Sequence, residues 1–75
     1  MLMIDNLDSI EVLINGSPHR LPAGQSVEET LHHLRLRSRA IAVEINGVLV
    51  PSGNLSNRRV QAGDELEIVT LVGGG

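Results

Sequence analysis

Residues 65–75 read ELEIVTLVGGG, a strand-like alternation that runs straight into three glycines. Leu66, Ile68 and Thr70 fall on one side of such a strand, and Glu67, Val69 and Leu71 on the other. Beyond Val72 nothing can pack, because glycine has no side chain to bury and the most backbone entropy to lose. Gly73, Gly74 and Gly75 therefore read as a flexible thread of about 10 Å that carries a terminal carboxylate away from a folded body. Such a thread fits a narrow channel, and without a Cβ nothing crowds the carbonyl carbon that a nucleophile would attack.

The rest of the chain supplies the body. In IEVLING, residues 10–16, Ile10, Val12 and Ile14 alternate with Glu11 and Leu13, and Asn15-Gly16 tolerates the positive φ of a tight hairpin turn. A short return strand, about PHRLP, is bracketed by Pro18 and Pro22, which suits a sheet edge. The period then changes from two to 3.6 in GQSVEETLHHLRL. There Ser26 and Glu29 form a capping box, and Val27, Leu31 and Leu34 make one stripe with Thr30 beside it.

RSRA breaks the pattern, and IAVEINGVLVP gives a second strand, Asn-Gly turn and strand, stopped by Pro51. A polar loop follows, anchored by Leu55 and Val60 and closed by a turn at Ala62, Gly63 and Asp64. The expected order is β-β-α-β-β-β. This is an α+β fold with a mixed sheet and one helix on one face. The expected organisation is an extension over 1–8, one domain over 9–72 and the glycine tail over 73–75.

One helix leaves the second face of the sheet uncovered. Alternation puts Leu13, Val69 and Leu71 on that face among charged neighbours, which suggests a docking surface. Singly exposed aliphatic residues are also ordinary on a folded surface, so the alternation leaves both readings open.

Composition narrows the function. The 75 residues carry a net charge of -3 and no aromatic side chain on which a base could stack, which argues against nucleic acid. Without cysteine, neither disulfide nor thiol chemistry resides in the chain. All six basic residues other than histidine are arginine, so no lysine can accept an isopeptide bond. The start, MLMIDNLDSI, has no positively charged leader, and no apolar run approaches the roughly 20 residues that span a bilayer. The expected location is the cytoplasm.

His32 and His33 point about 100° apart on a helix and so do not share one metal from one turn. Arg35, Arg37 and Arg39 follow the helix, where they offset its carboxyl-end dipole, are simply solvated, or meet an acidic partner. Glu28-Glu29 and Asp64-Glu65 belong to a helix first turn and a tight turn. No nucleophile and base pair is visible.

INGSPHRLPAGQSVEETL, AVEINGVLVP and AGDELEIVTLVGGG, taken with the element order and the glycine end, resemble the ThiS family, the sulfur carriers of thiamine biosynthesis. The resemblance covers about residues 10–75, and Leu55 stands where that family often has an aromatic. It implies a ubiquitin-like β-grasp fold and a protein substrate in place of an enzyme. By the same resemblance, an adenylating enzyme activates Gly75 with ATP and Mg²⁺, and sulfur from a donor such as a cysteine desulfurase makes a thiocarboxylate. Thiazole synthase then takes the sulfur.

Carried onto this chain, Gly75 bears the reactive carboxyl and Gly73 and Gly74 supply the thread. Leu13, Val69 and Leu71 form the docking face. The chain itself would bind no cofactor or metal and stand as a monomer when alone. A molybdopterin-type carrier shares the tail and activation chemistry, and a β-grasp regulatory or binding module would need no glycine terminus.

Overall fold

A computed structural model describes residues 9–36 and 41–70. The expected extension over 1–8, Arg37 and Arg39, and residues 71–75, which hold Leu71 and the expected tail over 73–75, lie outside the described residues. The elements are β1 (Ser9–Ile14), β2 (Ser17–Pro22), α1 (Val27–His33), β3 (Ile41–Ile45), β4 (Val48–Val50) and β5 (Glu65–Thr70), with a 3₁₀ turn at Ser52–Asn54. One sheet contains all five strands in the order β2-β1-β5-β3-β4. β1 and β5 run parallel, and the other neighbours are antiparallel. This is the mixed β-grasp arrangement expected from the sequence.

Both hairpins close through Asn-Gly. Asn15 and Gly16 have φ of 50° and 86°, and Asn46 and Gly47 have 54° and 84°. Positive φ at both central residues defines the turn whose twist matches the flanking strands. Each turn also sets register, with Ile14 opposite Ser17 and Ile45 opposite Val48. In such a two-residue hairpin these pairs are hydrogen-bonded, so Pro18 and Pro22 fall at positions whose missing N–H would have pointed outward. The two prolines thus sit on the edge strand β2 without costing a ladder bond.

Alternation fixes the core. Val12, Ile14, Leu21, Val43, Ile45, Val50, Leu66 and Ile68 face inward against Val27 and Leu31 of α1 and Val60 of the late loop, and all are buried. Thr70, grouped with Leu66 and Ile68 in the sequence reading, is exposed instead. It pairs with Ile41, itself only half-buried, at the far end of the sheet.

The helix starts as its sequence dictates. Glu29 N donates to Ser26 Oγ at 3.0 Å, and Ser26 N donates to Glu29 Oε1 at 2.9 Å. The next two amides are taken by the late loop, Val27 N donating to the Arg58 carbonyl and Glu28 N to that of Leu55, both at 2.9 Å. Thr30 is fully buried, and its hydroxyl donates to the Ser26 carbonyl at 2.9 Å.

At the other end Leu34 is the cap, not part of the helix, and Arg35 takes a φ of 63°. Arg35 N then donates to the His32 carbonyl and Leu36 N to that of Leu31, the paired bonds of a Schellman stop. Among the described residues no buried side-chain polar atom lacks a partner.

Candidate functional site

The expected site has two parts, the glycine tail and the face of the sheet away from α1. The strand that leads to the tail is central, and both hairpin turns hold it. Leu13 N donates to the Asp64 carbonyl at 3.0 Å, and Asn15 N to that of Leu66 at 2.8 Å. β1 then turns away, yet the Asn15 carboxamide continues the ladder. Its Nδ2 donates to the Ile68 carbonyl at 3.1 Å, and its Oδ1 accepts from Ile68 N at 2.8 Å.

Asn46 does the same from the other side. Its Oδ1 accepts from Glu65 N and its Nδ2 donates to Asp64 Oδ1, both at 3.0 Å. Its backbone N–H reaches the Glu65 carbonyl at 2.8 Å. The buried Asp64 carboxylate also accepts from Gln61 N at 2.8 Å. The two turn asparagines thereby clamp β5 between the outer hairpins.

On the open face, Leu13 and Val69 are exposed as the alternation predicts. Leu13 is 36% and Val69 50% exposed, on β1 and β5 respectively; Leu71 lies outside the described residues. Register separates the two. Leu13 stands beside Glu65, and Val69 lies four residues further along β5, about 14 Å from Leu13 at the usual strand rise and spacing. Glu65 and Glu67 lie between them.

Glu44 of β3 and Leu49 of β4 join the face. Glu67 is directly opposite Glu44, whose other neighbour is Leu49, 58% exposed. Val69 is opposite Ala42. At the β2 side a hollow of about 410 Å³ is lined by Glu11, Val12, Leu13, Pro18 and Gly63.

The face thus carries three apolar spots, Leu13 with Pro18, Val69 with Ala42, and Leu49, around a line of carboxylates. Arg20, opposite Glu11, donates to Ser9 Oγ at 3.0 Å. The ion pair recorded among the described residues is elsewhere, Arg59 with Glu29 at 3.9 Å. Like charges opposite one another disfavour a sheet, so the Glu44–Glu67 pair does not contribute to its stability. Leu49 and Glu44 escaped sequence reasoning because they join this face only through the β3–β4–β5 register. The two-residue turn at Asn46-Gly47, which makes Glu44 and Leu49 partners, was the available signal.

Elsewhere the side chains explain themselves structurally. The Glu29 carboxyl is held below its ordinary value, chiefly by the Ser26 backbone N–H, with the Ser26 hydroxyl, Arg59 and His32 adding to this and burial opposing it. The first helical amides are occupied, which leaves no anion site there. No group of three or more His, Cys, Asp or Glu side chains among the described residues could hold a metal ion. No helix among them is long and apolar enough to cross a membrane.

Comparison with known proteins agrees with this architecture. A family model described as "ThiS family" matches residues 12–75. The chain is 32% identical over 66 residues to "Sulfur carrier protein ThiS" of Escherichia coli, spanning 88% of this chain and 100% of that one. It is 39% identical over 66 residues to a "Thiazole synthase" of Paramagnetospirillum magneticum, covering 88% of this chain but only 20% of that protein's length. The crystal structure of a thiamine biosynthesis protein (ThiS) from Geobacter metallireducens superposes with a TM-score of 0.77 at 26% identity. That match covers 88% of this chain and all of the other.

Proposed function

Because the chain belongs to the ThiS family, we propose that it is a sulfur carrier protein of thiamine biosynthesis, a protein substrate and not an enzyme. The observation that carries the reading is the family match itself, which runs to Gly75. The Gly75 carboxylate attacks the α-phosphorus of ATP in a Mg²⁺-dependent adenylating partner, releasing pyrophosphate and leaving an acyl adenylate. The persulfide sulfur of a donor such as a cysteine desulfurase then displaces AMP to give an acyl disulfide, and a thiol reductant cleaves its S–S bond, releasing the thiocarboxylate and leaving the other sulfur in a disulfide. Thiazole synthase withdraws that sulfur. Gly73 and Gly74 let the carboxyl group enter these active sites.

The body presents the tail and is recognised through the open face. The apolar spots at Leu13 and Val69 fit aliphatic or aromatic side chains of the partner, and Glu44, Glu65 and Glu67 fit a basic rim around them. Leu71, next in the sequence alternation, is the third residue assigned to this recognition role. A stretch of a thiazole synthase resembles this chain over 66 residues, which supports that enzyme as the sulfur acceptor.

Intact mass spectrometry tests the reading. After incubation with the adenylating enzyme, ATP, Mg²⁺, cysteine, a desulfurase and a thiol reductant, the chain gains about 16 Da as sulfur replaces oxygen. A chain lacking Gly74 and Gly75 stays folded and gains nothing. An unchanged mass for the intact chain refutes the carrier role.

A further inference from the structure

The two edges of the sheet are treated differently. On β2 the outward positions are Pro18, Arg20 and Pro22, so two of three outward donors are missing and the edge resists further pairing. β4 has no such guard. Ile45–Val48 and Val43–Val50 are the pairs that bond to β3, so the N–H and C=O of Leu49 between them point away from the sheet. Val48 is 67% exposed and Leu49 58%, the two largest exposures among the described large hydrophobic residues.

Beside this edge lies a groove of about 380 Å³ whose lining includes Val48, Leu49, Val50, Pro51, Asn54 and Arg58. Its wall is ordered, with Asn54 N donating to the Pro51 carbonyl at 2.8 Å and Arg58 N to that of Asn54 at 2.9 Å. Among the described residues of the lining, Arg58 supplies the only charge. Its guanidinium is steadied by one bond to the Arg59 carbonyl at 2.7 Å, and no carboxylate among the described residues lies within ion-pair distance of it.

We infer that the β4 edge and its groove bind an extended peptide segment of a partner protein, one carrying a carboxylate side chain among aliphatic ones. The segment pairs with the outward N–H and C=O of Leu49, lays apolar side chains against Val48 and Pro51, and places its carboxylate on Arg58. A second copy of the chain fits less well. Its own β4, Val48 to Val50, brings no carboxylate to the groove and would leave Arg58 unmatched. Peptide binding at β4 is read directly, so its test does not depend on activation of Gly75.

The full chain, ¹⁵N-labelled, is titrated with the capped peptide acetyl-Thr-Ile-Asp-Val-Thr-amide and followed by NMR. Shift changes are expected at Leu49, Val50, Asn54 and Arg58, with slower amide exchange at Leu49. Replacing the peptide aspartate by lysine, or Arg58→Ala, lowers affinity about tenfold, the loss expected for a charge-assisted bond. Leu49→Pro removes the outward donor without touching the ladder, so it keeps the far-UV spectrum and loses binding. Four results overturn the inference: no perturbation; perturbation centred on Leu13 and Val69; equal affinity for the aspartate and lysine peptides; or concentration-dependent shifts at Val48–Val50 without peptide, which would assign the edge to a second copy.

Discussion

Replacing Asn15 by glycine isolates the clamp on β5. Glycine is at ease at a φ of 50°, so the turn survives while both carboxamide bonds to Ile68 vanish. Each half-buried bond contributes about 1 kcal/mol, and the extra freedom of glycine in the unfolded chain adds roughly 0.5 to 1 kcal/mol. The expected loss is therefore about 2 to 3 kcal/mol, or roughly 10 to 20 °C in Tm for a domain of this size. Since the chain has no aromatic residue, urea unfolding is followed by far-UV circular dichroism. Amide exchange supplies the local readout, and Ile68 N–H should exchange faster in the variant. A variant within about 0.5 kcal/mol of the parent, with Ile68 equally protected, would refute the assignment of a structural role to this side chain.

Other substitutions probe the remaining joints. Arg35→Gly relieves a left-handed position held by a residue with a Cβ and should raise stability by about 1 kcal/mol, read as a higher urea midpoint. Ser26→Ala removes the helix cap and should cost about 1 kcal/mol by the same measurement. The Glu29 carboxyl is lowered in the folded state, so its share of stability is present above the ordinary value of 4.5 and is lost as pH falls through the folded value. The advantage of the parent over Glu29→Gln should accordingly be seen at pH 7 and fade on acidification. Glu44→Lys replaces repulsion by attraction opposite Glu67, so it should hold or raise Tm while slowing the mass gain at Gly75. Unchanged activation would remove Glu44 from the docking face.

Much of this fold was legible because its local signals agree with its long-range ones. Alternation named the inward residues of β1 and β5, Asn-Gly marked both hairpins, and Ser26 with Glu29 fixed where α1 begins. The helix end was less legible, since the residue at positive φ is Arg35 and no glycine marks it. The second duty of Asn15 and Asn46 was hidden for a different reason. A turn asparagine explains itself locally, and its bonds to Ile68 and Glu65 exist only once β5 has inserted between β1 and β3. Exposure of Leu13 and Val69 followed from period two, but their separation, and the line of Glu44, Glu65 and Glu67 between them, depends on register. Thr70 obeyed the alternation yet stays exposed because the core ends before the sheet does.

The central place of β5 also decides how the protein answers a pull. A partner that grips the tail loads the sheet through Thr70, along the axis of a strand flanked by β1 and β3 and pinned by two asparagines. Such a load shears bonds on both sides together, whereas tension on an edge strand would peel them one after another. Resistance to forced unfolding is set by the unfolding rate, and here several bonds must break at once before the strand slips. The domain should therefore withstand a pull along β5 better than a pull on either edge strand.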